Sequence, residues 1–338
     1  MAARTSILVT GGAGFIGSNF IPFFCAAHPE YEVINLDKLT YAGNLAHLTE
    51  CEHLDNYRFV QGDITDEALL TTLFAQYDIR GVIHFAAESH VDNSITGPQE
   101  FINTNIVGTF KLLQSAYHHW FKGPNQVKAG YEHCRFHHIS TDEVYGSLGA
   151  TGLFTEQSPY NPSSPYSASK ASSDLLVKSY HRTYGLNTTI SNCSNNYGPK
   201  QHREKLIPKT ILHCLQQKEI PIYGQGKNVR DWLYVLDHCR AIDLIFHQGH
   251  SGETYNVGGQ HEVNNITLVR TICQLLDEMH PLPHGKHEQL IAFVTDRAGH
   301  DFRYAIDFSK LQQSLGWQPQ ETFVTGLRKT IAWYIQHT

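Results

Sequence analysis

The chain has 338 residues, of which 41% are hydrophobic and 17% are charged, and its formal net charge is −6. This length predicts about two domains, and a chain of this size buries enough surface to fold without disulfides. The composition excludes a disordered or collagen-like chain. The acidic balance argues against a protein that binds nucleic acid or anionic membranes, since such surfaces are usually basic.

The sequence gives no signal for a membrane, a secretory route or a metal. No apolar run reaches the roughly 18 residues of a membrane helix, and a glycine-rich motif stands where a signal peptide would have its apolar core. Seven scattered cysteines without a C-x-x-C pair predict reduced thiols in a cytoplasmic protein. The histidine clusters lack ligand spacing, so we expect solvated loop histidines and no metal: His118, His119, His133, His137, His138, His280, His284 and His287.

Short apolar runs alternate with longer segments of helical periodicity in the first half of the chain. The runs cover 6–10, 33–37, 57–60, 81–86 and 135–140, and the helical segments include 67–77 and 101–120. This alternation predicts βαβ units in an α/β fold, a Rossmann-like doubly wound parallel sheet. Residues 122–132 are expected to form a polar loop.

Turn-rich segments and two further helices, at 206–217 and 268–279, predict a smaller mixed α/β lobe in the second half. We therefore expect a dinucleotide-binding domain over residues 1–190. Residues 191–338 would mainly form the lobe that closes over a ligand, with some segments returning to the first domain.

A glycine-rich turn follows the first predicted strand and has the spacing G-x-x-G-x-x-G, with Gly11, Gly14 and Gly17 around Phe15 and Ile16. Glycines let the backbone approach a pyrophosphate, and the helix that follows offers N–H donors at its N-terminus. The motif alone is weak, because a glycine-rich turn has other uses.

Three later strand ends support the same interpretation. Asp37 is placed to accept hydrogen bonds from an adenosine ribose and to repel a 2′-phosphate, which favours NAD over NADP, although the neighbouring Lys38 weakens that preference. Asp63 is placed either to bind the adenine amino group or to cap the next helix. Small residues follow the fourth strand, where a cofactor passes close to the backbone: Phe85, Ala86 and Ala87.

Tyr166 and Lys170 form a Y-x-x-x-K pattern, which places both side chains on one face of a helix. A nearby ammonium group favours the phenolate, so we expect the Tyr166 pKa to lie below about 10. Such a tyrosine can act as a base at neutral pH. Thr141, just past the fifth strand, can bring a hydroxyl to the same site.

Together these features resemble the extended short-chain dehydrogenases/reductases. The run from Ser140 to Gly146, S-T-D-E-V-Y-G, narrows the resemblance to the dTDP-glucose 4,6-dehydratases. Further matches extend over nearly the whole chain, at 37–44, 86–92, 204–208, 228–232 and 297–301.

The resemblance implies a three-step reaction on one nucleotide sugar with tightly bound NAD. Tyr166 removes the C4 hydroxyl proton while hydride goes to NAD+, and Lys170 binds the nicotinamide ribose. Glu143 then removes the C5 proton, and Asp142 protonates the departing C6 hydroxyl. Hydride returns to C6 and gives a 4-keto-6-deoxy sugar, a precursor of rhamnose and other deoxy sugars. Two adjacent carboxyls in different environments suit an acid and a base. Adjacent residues of an extended strand point to opposite faces, so we expect both carboxyls in a bend at the strand end.

The resemblance also assigns the remaining contacts. The catalytic set is Thr141, Asp142, Glu143, Tyr166 and Lys170. The NAD-binding set is Gly11, Gly14, Phe15, Ile16, Gly17, Asp37, Lys38, Leu39, Thr40, Asp63, Ile64, Phe85, Ala86, Ala87, Ser89, Thr104, Tyr166, Lys170 and Asn196. The substrate-binding set is Ser89, Thr141, Asn195, Lys205, Leu206, Pro221, Ile222, Tyr223, Arg230, Asn265, Arg297 and His300.

The resemblance leaves several questions open. Asn93 and Ala298 stand where the family usually has Arg and Pro, which affects the expected base preference. A dehydratase for UDP- or CDP-glucose, a nucleotide-sugar 4-epimerase and a non-catalytic NAD-binding scaffold are the alternatives. Relatives form homodimers through helices that correspond to 101–117 and 167–184. The apolar side chains there serve either the interface or the core: Leu112, Leu113, Leu175 and Val177.

Overall fold

A computed structural model describes residues 4–295 and 301–338. The strands are β1 (Thr5–Thr10), β2 (Tyr31–Asp37), β3 (Tyr57–Gln61), β4 (Ile79–His84), β5 (Phe121–Gly123), β6 (Gln126–Val127), β7 (Arg135–Thr141), β8 (Thr188–Cys193), β9 (Asn195–Tyr197), β10 (Ile220–Tyr223), β11 (Val229–Tyr234), β12 (Thr254–Val257), β13 (Glu262–Asn264) and β14 (Ile291–Val294).

The α-helices are α1 (Phe15–Ala27), α2 (Glu67–Tyr77), α3 (Val91–Thr96), α4 (Pro98–Phe101), α5 (Thr109–Trp120), α6 (Pro165–Tyr184), α7 (Leu206–Leu215), α8 (Val235–Gln248), α9 (Asn265–Met279), α10 (Ser309–Leu315) and α11 (Phe323–Gln336). A π-helical segment, Ile102–Gly108, joins α4 to α5. Short 3₁₀ helices cover Leu45–Cys51, Asp142–Tyr145 and His287–Leu290.

Seven strands form one parallel sheet in the order β12-β8-β7-β4-β1-β2-β3. The order reverses between β1 and β4, and sheets of this kind bind ligands outside the carboxyl ends of the strands at that point. The prediction of a Rossmann-like doubly wound sheet is confirmed. The central strands read as continuous apolar runs because helices cover both faces.

Successive residues of β1 supply the two halves of the core. Leu8 packs with side chains of α2, α5 and α6, including Trp120 and Val177. Ile7 and Val9 point to the other face and pack with α1 and α8, including Phe20. This alternation follows from the period of two along a strand.

The second half of the chain builds a smaller lobe and also completes the large sheet. Helices α7, α9 and α11 pack around buried Ile211, Ile272 and Leu327. Strand β10 pairs with β14, and β11 lies between β13 and β9. Strand β12 forms one edge of the parallel sheet, so the chain crosses between the two units more than once.

The structure corrects two expectations from sequence. The polar loop predicted over 122–132 contains a short antiparallel hairpin, β5–β6, in which Asn125 adopts a positive φ of 59°. Histidines expected in solvent include His137, His138 and His287, which are fully buried. Strand β7 carries the first two inward because it lies inside the sheet. No helix in the described part of the chain is long and apolar enough to span a membrane.

Candidate active site

A cleft opens at the carboxyl ends of the strands beside the β1–β4 switch point. Its walls come from the glycine-rich turn and from the ends of β2, β3, β4, β7 and β8, and helix α6 closes one side. Parallel strands deliver their carboxyl ends to one edge of the sheet, so residues distant in sequence meet there.

The glycine-rich turn needs glycine for two separate reasons. Gly11 has a φ of 71°, and a Cβ there would lie 2.5 Å from the backbone nitrogen of Ala86. At Gly17 a Cβ would lie 2.5 Å from the carbonyl oxygen of Gly11. The turn therefore lies against β4 and the start of α1, and the N-terminal N–H groups of that helix face the cleft near Gly14.

Asp37 ends β2 and holds the turn in place. Its Oδ2 accepts a hydrogen bond from the Ala13 N–H at 2.8 Å, and its Oδ1 accepts one from the Leu39 N–H at 2.8 Å. Burial raises the pKa of this carboxyl, and the two N–H groups oppose the rise. The Lys38 ammonium lies 2.9 Å from Oδ2 of Asp63, so it does not neutralise Asp37.

The two adjacent carboxyls lie in a turn of 3₁₀ helix directly after β7, as the bend expected at the strand end requires. Thr141 caps this turn by accepting a hydrogen bond from the Glu143 N–H at 3.3 Å. Its hydroxyl also donates to Oδ1 of Asp142 at 3.3 Å. Burial, and then the charge of Glu143, raise the pKa of Asp142 well above the usual carboxyl range. These surroundings therefore favour the protonated form of Asp142.

Helix α6 begins one residue before Tyr166 because Ser164 and Ser167 form a capping box and Pro165 takes the first helical position. Tyr166 and Lys170 lie one turn apart on this helix, and both face the cleft.

The expected lowering of the Tyr166 pKa is wrong for this arrangement. Burial raises that pKa well above its ordinary value, and the charge of Glu143 raises it further. Nζ of Lys170 donates to the carbonyl oxygen of Ile139 at 2.8 Å and lies 3.3 Å from Nε2 of His138. The ammonium group thus has partners other than the phenol.

A buried polar network connects Lys170 to Asp174 through His138. Oδ1 of Asp174 lies 3.3 Å from Nε2 of His138, which is the nitrogen that Lys170 approaches. Oδ2 of Asp174 accepts hydrogen bonds from Ser140 at 3.0 Å and from Tyr160 at 2.9 Å. Burial lowers the pKa of Lys170 to about 8, while the Asp174 carboxylate favours its charged form.

The cleft collects most of the side chains that the sequence assigned to it. The residues on its walls are Gly11, Gly14, Phe15, Ile16, Gly17, Asp37, Lys38, Thr40, Asp63, Ile64, Phe85, Ala86, Ala87, Ser89, Thr104, Thr141, Asp142, Glu143, Tyr166, Lys170, Asn195, Asn196 and Lys205.

Other assigned residues are not part of these walls: Leu39, Leu206, Pro221, Ile222, Tyr223, Arg230 and Asn265. Arg230 is still near enough for its charge to oppose the rise in the Asp142 pKa. Arg230 donates to the carbonyl oxygen of Asp301 at 3.0 Å, and its guanidinium lies 4.4 Å from the ring centre of Tyr304. Tyr223 is 45% exposed at the end of β10. Arg297 and His300 lie outside the described residues, as does Ala298.

Comparisons with known proteins identify the family to which this chain belongs. A model of the GDP-mannose 4,6 dehydratase family matches residues 8–330. The dTDP-glucose 4,6-dehydratase of Neisseria meningitidis serogroup B is 56% identical over 335 residues, which cover 98% of this chain and 93% of that protein. The chain belongs to the dTDP-glucose 4,6-dehydratase family.

Two solved members of this family have the same fold as the chain. The enzyme from Streptomyces venezuelae, crystallised with NAD and TYD, is 46% identical with a TM-score of 0.88. The enzyme from Bacillus anthracis, crystallised with NAD, is 44% identical with a TM-score of 0.87. In both comparisons the match covers 98% of this chain and 97% of the relative.

Several side chains on the cleft walls had no role predicted from the sequence. Tyr41, Glu88 and Glu204 lie inside the family motifs, so the motifs themselves were the available signal. Cys193 ends β8, and its position at a strand end was a weaker signal. Asn105, which is not part of the walls, gave no signal: it lies in the π-helical segment and accepts a hydrogen bond from the Glu88 N–H at 2.8 Å. It thereby fixes the loop that carries Ser89.

The cleft fits a dinucleotide on its own geometry. Neighbouring backbone atoms leave no room for a side chain at Gly11 and Gly17. A turn that binds phosphate needs such glycines so that its backbone can approach the ligand. Several buried oxygens on the walls, including Oδ2 of Asp142 and Oδ1 of Asn195, have no hydrogen-bond partner among the described residues. A bound ligand can supply such partners.

Proposed function

We propose that this chain converts dTDP-glucose to dTDP-4-keto-6-deoxyglucose and water, with NAD held in the cleft and regenerated in each turnover. One observation carries the proposal: Asp142 and Glu143 share the cleft with Tyr166 and Lys170. A plain dehydrogenase or an epimerase uses only the second pair. The additional acid and base suit an elimination.

In this proposal the cofactor-binding residues are the turn around Gly11, Asp37 and the ends of β3 and β4. Bound NAD supplies the hydride acceptor at C4, the hydride donor at C6, and a positive ring that favours the Tyr166 phenolate. Tyr166 takes the proton of the C4 hydroxyl, and Thr141 hydrogen-bonds to the sugar beside it. Lys170 binds the nicotinamide ribose and contributes positive charge to the cleft.

Elimination follows from the different environments of the two carboxyls. Glu143 removes the C5 proton, which the neighbouring 4-ketone makes acidic. Asp142 donates its proton to the departing C6 hydroxyl, and its raised pKa supports this role because the surroundings favour the protonated carboxyl. Burial of Asp142 thus separates an acid from a base at two adjacent positions.

The smaller lobe, mainly residues 191–338, is proposed to hold the nucleoside diphosphate, while residues 1–190 bind NAD. Lys205 lies on the cleft wall and provides a cation for phosphate. The family resemblance extends this subsite to Asn195 and to residues farther along the lobe: Leu206, Pro221, Ile222, Tyr223, Arg230, Asn265, Arg297 and His300. A cytoplasmic location is part of the same proposal, and the seven free, buried cysteines support it.

The first experiment incubates the purified chain with dTDP-glucose and no added cofactor. We expect a product that has lost one water and carries a ketone, detected by mass and by absorbance in alkali. Conversion to the galactose epimer would instead identify an epimerase. Turnover of UDP- or CDP-glucose in preference to dTDP-glucose would show that the enzyme prefers a substrate with a different nucleobase. Binding of NAD without turnover of any of these sugars would identify a scaffold.

We also propose a homodimer that forms through α5 and α6. Leu112, Leu113 and Val177 are buried in the core of the chain, so they are not available to a partner. Leu175 is 58% exposed, and further exposed apolar side chains lie on the neighbouring helical segment: Ile102, Val107 and Phe110.

Light scattering of the wild type at micromolar concentration should give twice the chain mass. Leu175→Asp should weaken the dimer, because it buries a carboxylate in an apolar interface. The matched control is Val324→Asp, which changes an exposed apolar residue on α11 and should leave the dimer intact. A monomeric wild type contradicts the proposal.

A further inference from the structure

Two histidines and an aspartate meet at the edge of the large sheet opposite the cleft. His28 follows the last residue of α1, while Asp243 and His247 lie one turn apart near the end of α8. Within the described part of the chain, this group of three brings its ligand atoms within 4.8 Å of one another. Tyr31, which begins β2, marks the edge as the amino-terminal one.

We propose that His28, Asp243 and His247 bind a divalent first-row transition metal such as Zn²⁺ or Ni²⁺. Oδ1 of Asp243 lies 2.8 Å from Nε2 of His28 and 3.0 Å from Nδ1 of His247. That Nδ1 also lies 2.9 Å from the backbone carbonyl oxygen of Asp243, a contact that a bound metal would replace. Adjacent ligands at right angles around a metal with bonds of about 2.1 Å are about 3.0 Å apart. The donor set of two imidazoles and one carboxylate suits these metals and is unlike the all-oxygen sites of Mg²⁺ or Ca²⁺.

The second nitrogen of each imidazole already has a partner that orients the ring. Nδ1 of His28 lies 3.3 Å from a carboxylate oxygen of Glu30, and Nε2 of His247 lies 3.2 Å from the hydroxyl of Tyr31. Ligating histidines typically hold their other nitrogen in this way, with a carboxylate as a common partner.

His28 thus has a carboxylate at each ring nitrogen. A divalent ion bound at Nε2 would take the place that a proton otherwise occupies between this ring and the Asp243 carboxylate.

The surroundings also favour a cation at this position. Helices α1 and α8 both end here, and their C-termini carry partial negative charge. Glu30 and Asp243 lie at the two ring nitrogens of His28, so two carboxylates contribute negative charge near a divalent ion. The two imidazole rings are stacked with their centroids 4.5 Å apart, and their ligand nitrogens lie within 4.8 Å of each other. The bound metal would join α1 to α8 and leave the cleft unchanged.

Titration of the tag-free chain with ZnCl₂, followed by calorimetry, tests the site. We expect saturable binding of one ion per chain and a rise in the melting temperature of a few degrees. His28→Gln and His247→Gln should each weaken binding by about tenfold or more, and Glu30→Gln by about 10- to 100-fold. His280→Gln is the matched control, since His280 is an exposed residue that ends α9 as His28 ends α1.

Two results would overturn the proposal. One is the absence of saturable binding by the wild type, which does not depend on the folding of any variant. The other is equal affinity in the wild type, His28→Gln and His247→Gln. NiCl₂ serves as a second probe with the same expected outcomes.

Discussion

Replacing Asp174 by asparagine removes the buried charge that balances Lys170. Nζ of Lys170 and Oδ1 of Asp174 each lie 3.3 Å from Nε2 of His138, so they are at most twice that distance apart. Two unit charges about 6.5 Å apart attract each other by about 2.5 kcal/mol at an effective dielectric constant of about 20. This energy corresponds to almost 2 pKa units, or about 100-fold in the proton affinity of Lys170.

The sign of the effect follows from the role of Lys170 as a cation. Burial lowers its pKa to about 8 in the wild type. In Asp174→Asn we expect this pKa to fall to between about 6 and 7, so the ammonium group loses its proton nearer to neutrality. Activity that depends on the charged form then declines at lower pH than in the wild type.

The assay is kcat/KM for dTDP-glucose across the pH range. The variant should be about tenfold slower than the wild type near pH 7.5 and within about two- to threefold near pH 6. Tyr160→Phe is the control, because it removes a hydrogen bond to Asp174 and keeps the charge. Its alkaline limb should stay in place. A loss in Asp174→Asn that is the same at every pH would refute the electrostatic role.

Glu143→Gln should permit C4 oxidation and block removal of the C5 proton, so substrate should raise the absorbance of reduced nicotinamide without forming product. Normal product from this variant contradicts the assignment. Asp37→Asn should bind NAD about tenfold more weakly and accept NADP better, because the repelling carboxylate is gone; an unchanged preference in cofactor titrations argues against it. Stability should fall as pH drops from about 7.5 to 6, because burial holds the pKa of three histidines well below the usual value. The unfolded chain takes up protons below about pH 6.5 and the folded chain does not, at about 1.4 kcal/mol per histidine per pH unit at most. Asp142 opposes this effect, because burial raises its pKa in the folded chain. Chemical denaturation therefore measures the slope in Asp142→Asn, and a flat profile of that variant contradicts the prediction. The three histidines are His84, His137 and His138.

The sequence by itself determined the fold class and the chemistry expected at the strand ends. Apolar runs separated by helical segments specify a parallel sheet, and such a sheet brings its carboxyl ends to one edge. A reactive residue just past the carboxyl end of a strand in the middle of the sheet is therefore expected in the cleft. This reasoning placed Asp37, Thr141 and Glu143 there, and helical spacing placed Tyr166 and Lys170 on one face. These signals are local, so they can be read without the fold.

Only the tertiary structure decided burial and partners. The direction of the Tyr166 pKa depends on how deeply the phenol is buried and on where Lys170 points. Packing also places Leu112 in the core and leaves Leu175 exposed, although both lie on helices of similar periodicity. His28 and Asp243 are 215 positions apart, and no spacing rule connects them. They meet because α1 and α8 pack on the same face of the sheet and end at the same edge.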